Sequence, residues 1–217
     1  MAKTDIIITE FDDDINFYYE WLPLEEDLQL KILILTSVLA ENNLAYRGSL
    51  STMCTWLGIS SCSINNGKIK QALEVLQDKK LINYYKDGRT YVIAITNAGM
   101  KNKDVLRVRR AWINAFKSYK SDISIGWLQL VKVFVYICSR AIRQKEQLII
   151  TRNEVAEALG ISPTTVGNAL KCITRCNLDG ITFQKEVEKE RIKDNSGQTI
   201  AIFNKGTSIT IGYNWRD

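Results

Sequence analysis

The sequence contains no histidine and only two prolines. Without histidine, the commonest general base and the commonest metal ligand are both missing. No Walker-type glycine loop, GxSxG elbow or paired-cysteine metal box takes their place. Carboxylate pairs such as Glu25 and Glu26 fall at a helix start, where they favour the helix dipole rather than acid–base work. The expectation is a protein that is not an enzyme and needs no cofactor and no metal. Long hydrophobic runs are missing too. The longest, Ile123 to Cys138, is interrupted by Gln129 and Lys132 and is too short to span a bilayer. The five cysteines are odd in number and no secretory leader precedes them, which predicts a reducing, cytoplasmic setting. Cys172 and Cys176 lie four residues apart, but with no histidine and no second close pair they read as ordinary thiols.

What is present is enough apolar material for packed cores, 46% of 217 residues, and a lopsided charge. Residues 1–44 carry ten acidic and two basic side chains, whereas residues 45–217 carry 27 basic and 14 acidic. An acidic arm on a body that binds nucleic acid fits this asymmetry.

The most legible stretch is Thr151 to Cys172. Thr151 is placed to cap a helix, with Glu154 as its capping-box partner. Val155, Ala156 and Leu159 form an apolar stripe at helical spacing. Gly160 can end that helix in a left-handed conformation, and Ser162-Pro163 starts another. Val166, Leu170 and Ile173 bring the second helix back onto the first, which is a helix-turn-helix pattern.

The same pattern occurs upstream. Leu57-Gly58-Ile59-Ser60 recurs as Leu159-Gly160-Ile161-Ser162, 102 residues later, and the caps Ser49 and Thr151 share that offset. In the first copy Met53, Trp56 and Leu57 face inward on one helix. Ile64, Ile69, Leu73 and Leu76 face inward on the next, from about Ser63 to Asp78. Strands are predicted at Leu81 to Tyr85 and Thr90 to Ile95, joined at Asp87-Gly88. In the second copy they fall at about Ile181 to Ile192 and Thr199 to Phe203, with Thr207 to Tyr213 as a third. An apolar helix precedes each copy, Leu24 to Glu41 and about Trp127 to Arg143. Ile6 to Ile8 is a further short strand, and Asp12 to Asp14 a solvated loop.

The fold expected is therefore mainly α (α+β): two winged helix-turn-helix domains in tandem, joined by an amphipathic linking helix. Residues 1–23 form the acidic N-terminal arm, 24–98 the first domain, 99–122 the linking helix and 123–217 the second domain. On the linking helix, Val105, Val108, Trp112, Phe116 and Tyr119 make an apolar stripe, and Lys103, Arg107, Arg110, Asn114 and Lys117 a polar, mostly cationic one. Roughly 19 residues would span about 28 Å, against about 34 Å between half-sites one DNA turn apart.

In a helix-turn-helix, the second helix presents its N-terminal residues to base edges. Those positions are Ser162, Thr164, Thr165 and Asn168 in the second copy, with Lys171 and Arg175 toward phosphates. In the first they are Ser61, Ser63, Asn65, Asn66 and Lys68, with Lys70 behind. Ser and Thr address several bases, and Asn pairs with adenine. The wing tips carry Lys86 and Arg89 in the first copy and Lys189, Arg191 and Lys193 in the second. With Arg107 and Arg110 these are candidate phosphate contacts.

From Trp127 onward the sequence resembles the winged-helix domain of phage replisome-organiser and related replication-initiation proteins of mobile elements. The residues that carry the likeness are Val131 to Tyr136, Ile150 to Ser162, and Asn204-Lys205-Gly206-Thr207-Ser208-Ile209-Thr210-Ile211. That resemblance implies double-stranded DNA as partner and a role in replication initiation or transcriptional regulation of a phage, plasmid or other mobile element. The acidic arm would meet a replication or transcription protein. The contrasting reading is a tandem winged-helix adaptor that binds proteins and reads no DNA.

Overall fold

Alternation of apolar residues, helix caps and three left-handed glycines set the elements of the computed structural model. It describes residues 15–24, 26–39, 45–96, 105–119, 125–143, 148–178, 181–193 and 199–213. The fold is mixed α+β, with seven helices and three small antiparallel sheets among those residues. The chain divides into two compact units, Met1–Arg110 and Ala111–Asp217. No helix of the described residues is long and apolar enough to cross a membrane.

The first unit contains β1 (Ile15–Tyr18), α1 (Asp27–Leu39), β2 (Tyr46–Gly48), α2 (Leu50–Trp56), α3 (Ser63–Asp78), β3 (Ile82–Asp87), β4 (Thr90–Ile95) and β5 (Val105–Val108). Helix α1 buries the consecutive residues Ile32 to Thr36, so it is covered on several sides. Its turns pack against α3, β1, β2 and β4. Strands β2, β4 and β3 form one sheet in that order, with β4 in the middle. The β3–β4 hairpin closes on Asp87↔Thr90, and Gly88 takes a φ of +59° at the first loop position. A left-handed glycine there matches the twist of the two strands.

The second unit contains nearly all of α4 (Arg110–Ser118), then α5 (Trp127–Arg143), β6 (Leu148–Ile150), α6 (Arg152–Leu159), α7 (Pro163–Ile173), β7 (Ile181–Lys193) and β8 (Thr199–Tyr213). Its sheet has the order β6-β8-β7. Apart from the β1–β5 pair of the first unit and α4 of the second, this repeats the first unit: helix, short strand, two helices, two strands, with the last of these strands central. Helix α4 packs through Trp112 and Phe116, whose rings each meet the edge of Phe134 on α5 at 5.5 Å between centroids.

Three expectations need correction. No continuous linking helix forms over 99–122. Residues Val105–Val108 are a strand antiparallel to β1, with Arg107 opposite Asn16, and the helix begins only at Arg110. Two β-branched valines in the alternation Val-Leu-Arg-Val favour the strand, because Leu106 and Val108 are buried while Arg107 stays exposed. Arg107 and Arg110 therefore share no helical stripe, and a span taken from helical rise does not apply.

The acidic arm also ends earlier than residue 23. Ile15, Phe17, Trp21 and Leu22 are buried, and the Phe17 and Trp21 rings lie 5.3 Å apart, so this segment is part of the first core. The expected strand at Ile6 to Ile8 and the Asp12 to Asp14 loop lie outside the described residues. Finally, Thr207 to Tyr213 is the continuation of β8 rather than a separate strand, and β6 is the third member of the sheet.

Candidate nucleic-acid interface

The two helix-turn-helix corners are built alike, down to individual hydrogen bonds. Ser49 caps α2 by accepting from the Thr52 amide, and Thr151 caps α6 by accepting from the Glu154 amide. In the second unit the box is complete, because the Thr151 amide and hydroxyl both donate to the Glu154 carboxylate at 2.6 and 2.8 Å. Those two donors hold the carboxyl below its ordinary pKa. Both first helices end on a glycine in the left-handed region, Gly58 at φ +68° and Gly160 at φ +64°. The following amides, of Ile59 and Ile161, donate back to Cys54 and Ala156 at 2.9 and 3.0 Å. This is the six-to-one closure of a Schellman end, and it sets the angle at which the next helix leaves.

The second helices start differently. Ser162 caps α7 by accepting from the Thr165 amide, with Pro163 at the first helical position. Cys62 precedes α3 and offers no side-chain cap. The corner of the first unit is thus two residues longer, and its second helix corresponds to the other at an offset of 100 rather than 102. On that alignment the buried residues Ile69, Ala72 and Leu73 match Ala169, Cys172 and Ile173.

The candidate base-edge residues separate into engaged and presented groups. In α7 the Ser162 and Thr165 hydroxyls bond each other at 2.9 Å and also form the cap, so both serve the helix start. Thr164 is exposed and Asn168 half-buried, and neither takes part in the cap. In the first unit the Asn65 amide donates to the Ser60 carbonyl at 2.9 Å, bracing the corner. The Asn66 Oδ1 accepts from the buried Cys54 thiol at 3.3 Å. Ser61, Ser63, Lys68 and Lys70 are exposed. Ile64, expected to face inward, is instead 69% exposed. The core positions of α3 are filled by Ile69, Ala72, Leu73 and Leu76, and Ile64, five residues before Ile69, falls off that stripe.

Around these helices the charge is favourable for a polyanion. Lys171 and Arg175 are exposed on and just beyond α7, and no carboxylate occurs from Ala158 to Leu178. Lys86 near the end of β3 and Arg89 in the first hairpin's loop are exposed. In the second hairpin Lys189, Arg191 and Lys193 of β7 are paired with Asn204, Ile202 and Thr199, with Glu190 and Ile192 between them and register shifts at Glu188/Lys189 and Ile192/Lys193.

One residue escaped the sequence reading. Arg152, the first residue of α6, lays its guanidinium on α7 at Gly167. A Cβ on that glycine would come within 3.2 Å of the guanidinium carbon and Nη1 and 3.3 Å of Nε. Arg152 is exposed and so presents a fork of N–H donors beside the face that carries Thr164 and Asn168. Only the packing of α6 on α7 reveals this, since 15 residues separate the two positions in sequence.

Comparison with known proteins gives a distant relative. The chain is 27% identical to Protein RepS of Streptococcus pyogenes in a match that covers 63% of this chain and 30% of RepS. It therefore spans about a third of that relative's length. No family model matches the chain. No solved structure matches it either.

Proposed function

We propose that each unit is a winged helix and that the chain is a double-stranded DNA-binding protein acting in replication initiation of a mobile element. One observation carries this reading. Both units share the series helix, short strand, two helices and two strands with the same three-strand sheet order, and in both the N-terminal half of the second helix has exposed positions and no carboxylate. A helix of that kind, in a unit whose hairpin carries cations, suits the major groove and its flanking phosphates. The likeness to the replication-related RepS supports the replication role over transcriptional control. Nothing in this reading requires a catalytic step, a cofactor or a metal.

In this account Thr164 and Asn168, with Arg152 beside them, face bases in the second unit, and Lys171, Arg175, Lys86 and Arg89 meet phosphates. Lys189, Arg191 and Lys193 extend the second wing toward the backbone. Ser162, Thr165, Asn65 and Asn66 chiefly hold the helices in place. The acidic segment preceding β1 is left for a protein partner. Selection of binding sites from random duplex DNA by the whole chain tests the reading. A defined site is expected, at which Asn168→Ala relaxes one base position and costs about 1–3 kcal/mol. Lys86→Ala or Arg89→Ala should weaken all sequences alike. A chain that retains duplex but enriches no sequence does not read bases. One that retains no duplex is not a DNA-binding protein.

A further inference from the structure

The glycine that Arg152 covers in the second unit has an uncovered counterpart in the first. Gly67 sits at the fifth position of α3, as Gly167 does in α7, and a Cβ there would meet nothing within 4 Å. An exposed glycine inside a helix costs about 1 kcal/mol relative to alanine, and no packing among the described residues requires this one. One turn earlier lies Ile64, 69% exposed and among the largest apolar side chains left in solvent. Lys68 and Lys70 flank the pair and are exposed. From Asn42 through Leu73 the sequence has no carboxylate at all, while Arg47, Lys68 and Lys70 are its cations. The two asparagines of the same helix are engaged, Asn65 with Ser60 and Asn66 with Cys54, while Ser63 and Lys68 stay exposed.

The face these residues leave presents Ile64 and the open backbone of Gly67, bordered by the cations Lys68 and Lys70. We infer that it is a thymine-reading surface: Ile64 packs on the C5-methyl group of a thymine in the major groove, and Gly67 lets the helix backbone approach the duplex. The thymine methyl is the one apolar feature on the major-groove edge of a base pair, and an aliphatic side chain is its natural contact. The cation border and the missing carboxylates favour a polyanion over a second protein surface. The inference rests on the DNA-binding reading and adds the base that the first unit selects. It also separates the two units by chemistry, because position 64 corresponds to Thr164 and the place of Arg152 is taken by Leu50.

The experiment uses the whole chain and the duplex it selects. Each thymine of the site is replaced in turn by deoxyuridine, which removes one methyl group and nothing else. One position is expected to weaken binding about fourfold, the worth of one buried methyl group. Ile64→Ala should bind the thymine duplex as weakly as the native chain binds the uridine duplex, and should lose the difference between them. Because Ile64 is exposed, that variant should keep its fold, which circular dichroism checks. Gly67→Ala provides a second arm, with a higher melting temperature but weaker duplex binding. Uniform indifference to uridine, in a chain that still binds duplex, overturns the inference and leaves the DNA reading standing. So does an Ile64→Ala chain with unchanged DNA affinity but a lower oligomeric mass, which would assign the face to a second copy. Failure to bind any duplex would sink the DNA reading itself.

Discussion

Lys80 holds a φ of +58°, the one non-glycine among the described residues in the left-handed region. It follows the end of α3 as Gly58 and Gly160 follow α2 and α6, with the Leu81 amide donating to the Leu76 carbonyl at 3.0 Å. A side chain there costs about 1 kcal/mol, so Lys80→Gly is expected to raise stability by roughly that amount in urea unfolding. Gly48→Ala should act the other way, since a methyl group at position 48 would overlap the Tyr46 hydroxyl. Burial also pushes that hydroxyl's pKa up to about 12. Gly167→Ala should displace the Arg152 guanidinium and weaken DNA binding while leaving α7 intact. Arg152→Ala should reproduce the binding loss, as a titration of both variants would show. The capping box predicts a pH effect with a definite sign. Glu154 has a folded pKa below its ordinary value, so its stabilisation is complete above the ordinary carboxylate pKa and disappears as pH falls through the lowered one. Glu154→Gln should therefore melt earlier than the native chain at neutral pH and match it in acid. Ser49, Thr151, Gly58 and Gly160 were readable because caps and turn glycines act within four or five residues. Ile64, Asn66 and Arg152 were not, because their settings depend on which helix lies across from them.

At the scale of elements, both helix-turn-helix corners and both hairpins follow from sequence pattern, and the strands it does not show divide into two kinds. Strands β2 and β6 are three residues each, too short for a period-two pattern to show. Strands β1 and β5 each have the required alternation, but they lie in segments dominated by acidic residues and by a helix-like stripe. Their pairing joins residues about 90 apart, and no local signal announces it. The pairing has a measurable consequence. A piece ending at residue 98 lacks β5 and leaves Ile15 and Phe17 without the strand that holds them. Each buried aliphatic side chain contributes about 1.5–3 kcal/mol, so losing Leu106 and Val108 should lower stability by several kcal/mol. Urea denaturation of pieces 1–98 and 1–110 compares them directly, and equal midpoints would show β5 to be dispensable. At the other corner, Thr151→Ala should cost about 1 kcal/mol by removing the cap.

For the whole molecule, the repeat is the feature with most explanatory reach. A shared offset of 102 residues in cap, glycine and closing hydrogen bond, with one sheet order in both units, makes the chain a pair of similar heads with unlike faces. The second presents Thr164, Asn168 and Arg152, the first Ile64, Gly67 and Lys68. Duplicated frames with different surfaces suit a site whose halves differ in sequence. What both heads share is the expectation of a polyanionic partner, and salt is the direct probe of that. The measurement is the affinity of the whole chain for random duplex DNA at two salt concentrations. Binding is expected at the lower one, weakening about tenfold or more between about 50 and 200 mM as displaced counterions compete. A chain that binds at neither concentration, or whose binding ignores salt, would contradict the account.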